Sequence, residues 1–163
     1  MNSLFKTIAL IGKYDNPEIM APLLRLGKFL EDRNLNVVLD SLTASHIPET
    51  KYPILTLDEI GSEVDLAVVL GGDGTMLNIA RRLAPFDVPL VGINQGRLGF
   101  LTDLSIETMQ DDLDSFFDGN YVTERRMLLA AEVIRDKDSQ FSALAFNDVA
   151  VNRGNGRGMI EFE

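Results

Sequence analysis

The amino-acid sequence predicts an α/β protein: a doubly wound, mostly parallel sheet in an N-terminal domain, followed by the first strands of an all-β C-terminal domain. Three observations predict it. Short apolar, β-branched runs (TIALIG, NVVLD, VDLAVVL and VPLVGIN) alternate with segments of helical period. A glycine-rich turn, Gly71-Gly72-Asp73-Gly74-Thr75, stands where one such run hands over to a helix. Beyond Tyr121 the alternation stops, and strand-like segments follow one another with only turns between them. The expected division is 1–103 for the α/β domain and 104–163 for a linking helix and the opening of a β domain that reads as truncated.

Taken in order, TIALIG is short and apolar enough for a buried strand. Asn16-Pro17 supplies a helix start, with asparagine as cap and proline at the first helical position. Ile19, Met20, Leu23, Leu24, Leu26, Phe29 and Leu30 then make one wide apolar face. NVVLD at 36–40 is the second strand, and 41–55 has no clear period. Thr56 and Glu59 form a capping-box pattern for a short helix ending near Gly61. VDLAVVL at 64–70 is continuously apolar, as in strands covered on both faces. TMLNIARRLA reads as a helix stopped by Pro85, and VPLVGIN at 88–94 as the next strand. Ser105 is placed to cap a helix whose Ile106, Met109, Leu113, Phe116 and Phe117 share a face, with Gly119 ending it. MLLAAEVIRD, a turn at DKDSQ, FSALAFNDVAVNR, a turn at GNG, and MIEFE complete the reading as antiparallel strands.

Composition bounds the functions available. Apolar residues are 45% and charged residues 25% of the 163, a globular balance. The chain has no cysteine, which excludes disulfides and thiolate-bound zinc, and its single histidine, His46, sits in a loop-like stretch. No apolar run approaches the length of a membrane span, and the N-terminus lacks the pattern of a secretory signal. A cytoplasmic protein is expected. The net charge of −10 argues against a nucleic-acid or anionic-membrane surface, but not against a small phosphorylated ligand.

In open parallel sheets, ligands sit beyond the carboxyl ends of the strands, where GGDGT and INQGRLGF both fall. GGDGT lacks the lysine of a Walker loop and the third glycine of the dinucleotide pattern. It remains a phosphate-binding turn in kind: Gly71, Gly72 and Gly74 permit positive φ and expose amides, and the helix behind offers its positive end to an anion. Thr75 is placed to cap that helix or to touch a phosphate oxygen. Asp73 repels phosphate unless a cation shares the site or the carboxylate meets a proton, and both roles belong to phosphoryl transfer. The plainer reading makes Asp73 a helix cap or turn stabiliser. Arg81 and Arg82 fit a solvated helix face better than a source of positive field, and Arg97 is open between the two.

GGDGT, then GINQGRLGFLTD, FNDVAVNRG and MIEFE, stand in an order and at separations that closely resemble the bacterial NAD kinases. GGDGT by itself is shared with diacylglycerol-type lipid kinases; the two longer motifs are the specific part. The resemblance implies transfer of the ATP γ-phosphoryl group to the adenosine ribose 2′-hydroxyl of NAD, giving NADP, with a divalent metal (Mg or Mn). It implies that Asp73 is the catalytic carboxylate, that Gly74 lies against the dinucleotide, and that Phe100 walls the adenine pocket; a plain hydrophobic plug is the other reading of Phe100. It implies too that Asn147 and Asp148 hold NAD; many relatives have glutamate where Asp148 stands. Arginine or histidine commonly precedes the MIEFE-like strand, where this chain has Gly158, with Arg157 one step earlier as the nearest substitute.

The family's later glycine- and serine-rich motif lies past Glu163, so the 163 residues by themselves are expected to be weakly active. Apolar faces of the last strands suggest a homo-oligomer, a dimer or tetramer. A lipid kinase, and a nucleotide-binding module without chemistry, are the alternative readings.

Overall fold

A computed structural model describes residues 5–13, 17–47, 49–96, 99–102 and 104–151. The chain divides into two compact units, Met1–Glu124 and Arg125–Glu163. The first unit is built on a six-stranded sheet in the order β3-β2-β1-β4-β5-β6, parallel throughout. Its strands are β1 (Thr7–Gly12), β2 (Asn36–Asp40), β3 (Ile54–Leu55), β4 (Leu66–Leu70), β5 (Leu90–Asn94) and β6 (Leu104–Ser105). The helices are α1 (Met20–Asp32), α2 (Ser41–Ala44), α3 (Leu57–Glu63), α4 (Asp73–Leu83) and α5 (Met109–Phe117).

Side-chain alternation along the strands produces two cores. Ile8 and Leu10 of β1, Leu39 of β2 and Val68 and Leu70 of β4 face one way and bury Leu23, Leu26 and Leu30 of α1 with Met109 and Leu113 of α5. Ala9, Ile11, Val38, Ala67 and Val69 face the other way, against Leu57 and Ile60 of α3 and Met76, Ile79 and Leu83 of α4. Because both faces of β4 are covered, all five of its residues are buried. Residues 104–124 belong to this unit for a physical reason. The core takes Met109 and Leu113, Arg33 after α1 reaches Asp114 (Nε–Oδ1 2.6 Å), and Phe116 stacks on Phe5 with centroids 5.5 Å apart.

Several local expectations are modified. α1 is entered through a 3-10 turn at Pro17–Ile19, with no side-chain cap on the helix proper; Asn16 lies outside the described residues. Leu24 is 40% exposed, so the apolar face of α1 is narrower than its sequence suggests. The featureless stretch after β2 contains α2, capped by Asp40, whose Oδ2 accepts from Thr43 N–H at 3.1 Å. The capping box at α3 is complete. Both the Thr56 N–H and its hydroxyl donate to Glu59 Oε2 (2.7 and 2.8 Å), holding that carboxyl below its ordinary pKa. Ser105 ends β6, a strand the sequence concealed, and its Oγ accepts from the Thr108 N–H (3.4 Å) in the turn before α5; Thr108 holds the cap position of the helix proper, its hydroxyl donating to Asp112 Oδ2 (2.6 Å). Gly119 follows α5 with φ of 96°, the left-handed conformation that ends helices at glycine. No helix among the described residues is long and apolar enough to cross a membrane.

The second unit is described by an antiparallel hairpin, β7 (Leu129–Arg135) and β8 (Asp138–Ala145). Asp136 and Lys137 both have positive φ (52° and 72°), the signature of a two-residue turn matched to strand twist. The turn is therefore shorter than DKDSQ, and β8 stops at Ala145, before the FNDVAV stretch expected to continue it. The GNG turn, MIEFE and Arg157 lie outside the described residues.

Leu70 is fully buried at the carboxyl end of β4, immediately before the glycine turn. Leu70→Ala is expected to cost about 2–5 kcal/mol through lost burial and a residual cavity, read as a lowered urea midpoint of the full-length protein.

Candidate active site

The sheet reverses its winding between β1 and β4, and the carboxyl edge at such a reversal is where open α/β sheets bind ligands. Gly71-Gly72 lies at that edge. The Lys13 N–H donates to the Leu70 carbonyl (3.0 Å) and the Gly71 N–H to the Ile93 carbonyl (2.9 Å), so the turn is tied to the ends of β1 and β5. α4 then starts at Asp73, two residues earlier than its sequence pattern suggests, with Gly72 as an extended N-cap (φ −91°, ψ −175°) and no capping side chain. Thr75 and Met76 N–H bond back to the Gly72 carbonyl (3.0 and 3.1 Å), so the amides that face an anion at the positive end of the helix dipole are those of Asp73 and Gly74.

The glycines work by space, not by left-handed backbone: Gly119 is the positive-φ glycine among the described residues. A Cβ on Gly71 would stand 2.7 Å from Thr75 Oγ1 and 2.8 Å from its Cβ. Gly72 and Gly74 have nothing within 4 Å of such an atom, so their α-carbons border open space into which a ligand can come close. Thr75 is not the helix cap. It sits in the first turn, its N–H bonded to the Gly72 carbonyl (3.0 Å) and its side chain against Gly71.

Asp73 is no cap either. Its Oδ2 accepts from the Phe100 N–H (2.9 Å) and its Oδ1 from the Leu101 N–H (3.0 Å). Two consecutive amides of the segment after β5 thus fix the carboxylate, while each oxygen keeps lone-pair capacity for a further donor. Gly99 is required beside it, since a methyl there would overlap the Asp73 carboxylate. Phe100, whose amide is engaged, leaves its ring 92% exposed.

The first unit therefore brings Gly71, Gly72, Asp73, Gly74 and Thr75 together with the backbone of Phe100 and Leu101. Asn147 and Asp148 belong to the second unit, exposed just after β8, where Asn147 lies in a bend. Arg81 and Arg82 occupy the last turn of α4, at the opposite end from the glycines, and Arg81 pairs with Asn78 (3.2 Å); they are a solvated face. His46 is exposed beyond α2, its Nδ1 3.2 Å from the Leu42 carbonyl. The role of Leu101 was missed in the sequence, because a backbone donor leaves no mark on residue type.

The family model for the ATP-NAD kinase N-terminal domain matches residues 8–121. The chain belongs to the NAD kinase family. It is 64% identical over 163 residues to an NAD kinase of Nitrosospira multiformis, with all of this chain and 55% of that protein aligned. Against an NAD kinase of Nitrosomonas europaea it is 63% identical over 162 residues, covering 99% of this chain and again 55% of the relative. The chain thus spans little more than half the length of these NAD kinases. Among solved structures it is similar in fold to yeast NADH kinase complexed with NADH: TM-score 0.73 at 22% identity, covering 90% of this chain and 48% of that one.

Gly99→Ala tests the packing under Asp73. The added methyl must displace the carboxylate or the segment, and amide hydrogen exchange at Phe100 and Leu101 in the full-length protein is expected to accelerate. Unchanged exchange would show that the close approach is dispensable.

Proposed function

We propose that the full-length protein is an NAD kinase that transfers the ATP γ-phosphoryl group to the 2′-hydroxyl of the adenosine ribose of NAD. The observation that carries this reading is Asp73: a carboxylate at the N-terminus of α4, among glycines with open space before them, oriented by two backbone amides. The chain's membership of the NAD kinase family supplies the substrates. In this proposal the Asp73 carboxylate accepts the 2′-hydroxyl proton as the ribose oxygen bonds to the γ-phosphorus and the bond to the ADP oxygen breaks. The uncapped amides of α4 and the space before Gly72 and Gly74 suit an approaching phosphate or ribose.

By the same reading, the exposed ring of Phe100 walls an adenine pocket, and Asn147 and Asp148 hold NAD through their carboxamide and carboxylate, with Arg157 as a further contact. The described residues gather no group of three acids or histidines able to cage a divalent ion. The expected Mg²⁺ or Mn²⁺ therefore belongs to the proposal as a companion of the donor phosphates, an ion that often uses few protein ligands. No step is routed through it. The reading places the enzyme in the cytoplasm as a homo-oligomer, a dimer or tetramer, where hairpin residues such as Val133, Ile134 and Phe141, all more than half exposed here, find cover.

Asp73→Asn in the full-length protein is expected to lower turnover by about 100- to 10,000-fold, the usual contribution of a positioned proton acceptor, with NAD binding by calorimetry largely retained. Full activity in this variant would remove Asp73 from the reaction.

A further inference from the structure

The two amides that hold Asp73 are themselves arranged by a buried polar pair. Thr102 is 1% exposed, and its Oγ1 accepts from the Gly99 N–H at 3.1 Å. That bond closes the segment Gly99–Thr102 on itself, with Phe100 and Leu101 between the closed ends and both of their N–H groups on one carboxylate. Behind it stands Asn94, the last residue of β5, 9% exposed. Its Nδ2 donates to the same Thr102 Oγ1 (3.2 Å), and its Oδ1 accepts from the Gly96 N–H (2.9 Å). Gly92, one turn of the pleat earlier, lets the segment lie flat on the strand: a Cβ there would stand 2.9 Å from the Leu101 carbonyl oxygen.

We infer that Thr102, anchored by Asn94, is a positioning residue for Asp73: its hydroxyl folds the segment so that two amides converge on the carboxylate. Neither side chain reaches the open space before Gly72 and Gly74; both act through the backbone of Phe100 and Leu101. Burial explains why the hydroxyl matters. Without that hydroxyl the buried Asn94 Nδ2 loses its acceptor, which is costly, and the Gly99 N–H, on an exposed residue, is released to water, so the closed segment opens. The inference rests on the NAD kinase reading for its catalytic consequence, but not for its structural one.

The test uses the full-length protein with Thr102→Val, which keeps the shape and removes the hydroxyl, and Thr102→Ser, which keeps the hydroxyl. Thr102→Val is expected to lower kcat for NADP formation by about 10- to 100-fold, as small misplacements of a catalytic group do, with the KM for NAD within about twofold of wild type. Thr102→Ser is expected to restore most of the loss. In the same proteins, amide hydrogen exchange at Phe100 and Leu101 is expected to accelerate in Thr102→Val and in Asp73→Ala alike, and not in Thr102→Ser. Wild-type kcat in Thr102→Val, equal loss in the valine and serine variants, or unchanged exchange at both amides would each overturn the inference. If Thr102→Val does not fold, Asn94→Leu reads the same network from its other end, since an apolar side chain of similar size bonds neither Thr102 nor Gly96; unchanged exchange at Phe100 and Leu101 there would overturn it too. A wild-type protein that forms no NADP would end the NAD kinase reading, while the exchange measurement would still decide the positioning role.

Discussion

The carboxylate of Asp73 and the amides of Phe100 and Leu101 are separated by 27 and 28 residues in sequence and joined by bonds of 2.9 and 3.0 Å in space. A negative charge at a glycine turn suited to phosphate would work against the turn if it were free to swing toward the anion. Bound on both oxygens by backbone donors, it has a defined place and direction. The same pair of bonds joins the end of β4 to the segment after β5, so the glycine turn and the exposed Phe100 ring are parts of one local arrangement. Preorganised dipoles of this kind cost no reorganisation when a reaction begins.

The sheet makes that meeting possible. β4 runs between β1 and β5 with both faces covered, so its carboxyl end cannot shift without disturbing two cores. α4 leaves that end directly, starting on Asp73 itself, which puts the acid and the first open amides of the helix on consecutive residues. β6 adds a second constraint: its pairing through Ile93–Leu104 and Asn94–Ser105 returns the chain beside β5, and the intervening segment must pack back over Gly92 and reach Asp73. A two-residue strand thereby has a larger influence on the site than its length suggests.

Much of this was legible in the residues. The strands of the first unit with four or more apolar, β-branched positions declared themselves, as did the Thr56–Glu59 box and the glycine after α5, because each depends on neighbours within a few positions. β3 and β6, of two residues each, have too little sequence for a period, and α2 is a single turn held by the Asp40 cap. Ser105 bonds the Thr108 N–H as its capping pattern suggests, but its backbone pairs in β6 and α5 proper starts only at Met109, a tertiary preference that local pattern does not contain. At the site, Gly71, Gly72 and Gly74 were read as permitting positive φ, whereas Gly71 is required by close packing and Gly72 and Gly74 border open space. The bonds to Asp73 could not be read at all, since their donors are backbone groups that every residue except proline carries.

In the proposed reaction Asp73 meets the hydroxyl that receives the phosphoryl group, and a crystal structure of the full-length protein with NAD and a non-hydrolysable ATP analogue would show whether it does. The adenosine ribose 2′-oxygen is expected within hydrogen-bond reach of the Asp73 carboxylate, about 2.6–3.2 Å, with the Phe100 and Leu101 amides still on that carboxylate. A 2′-oxygen held by a different acid, with Asp73 beyond the reach of even one bridging water, would contradict it.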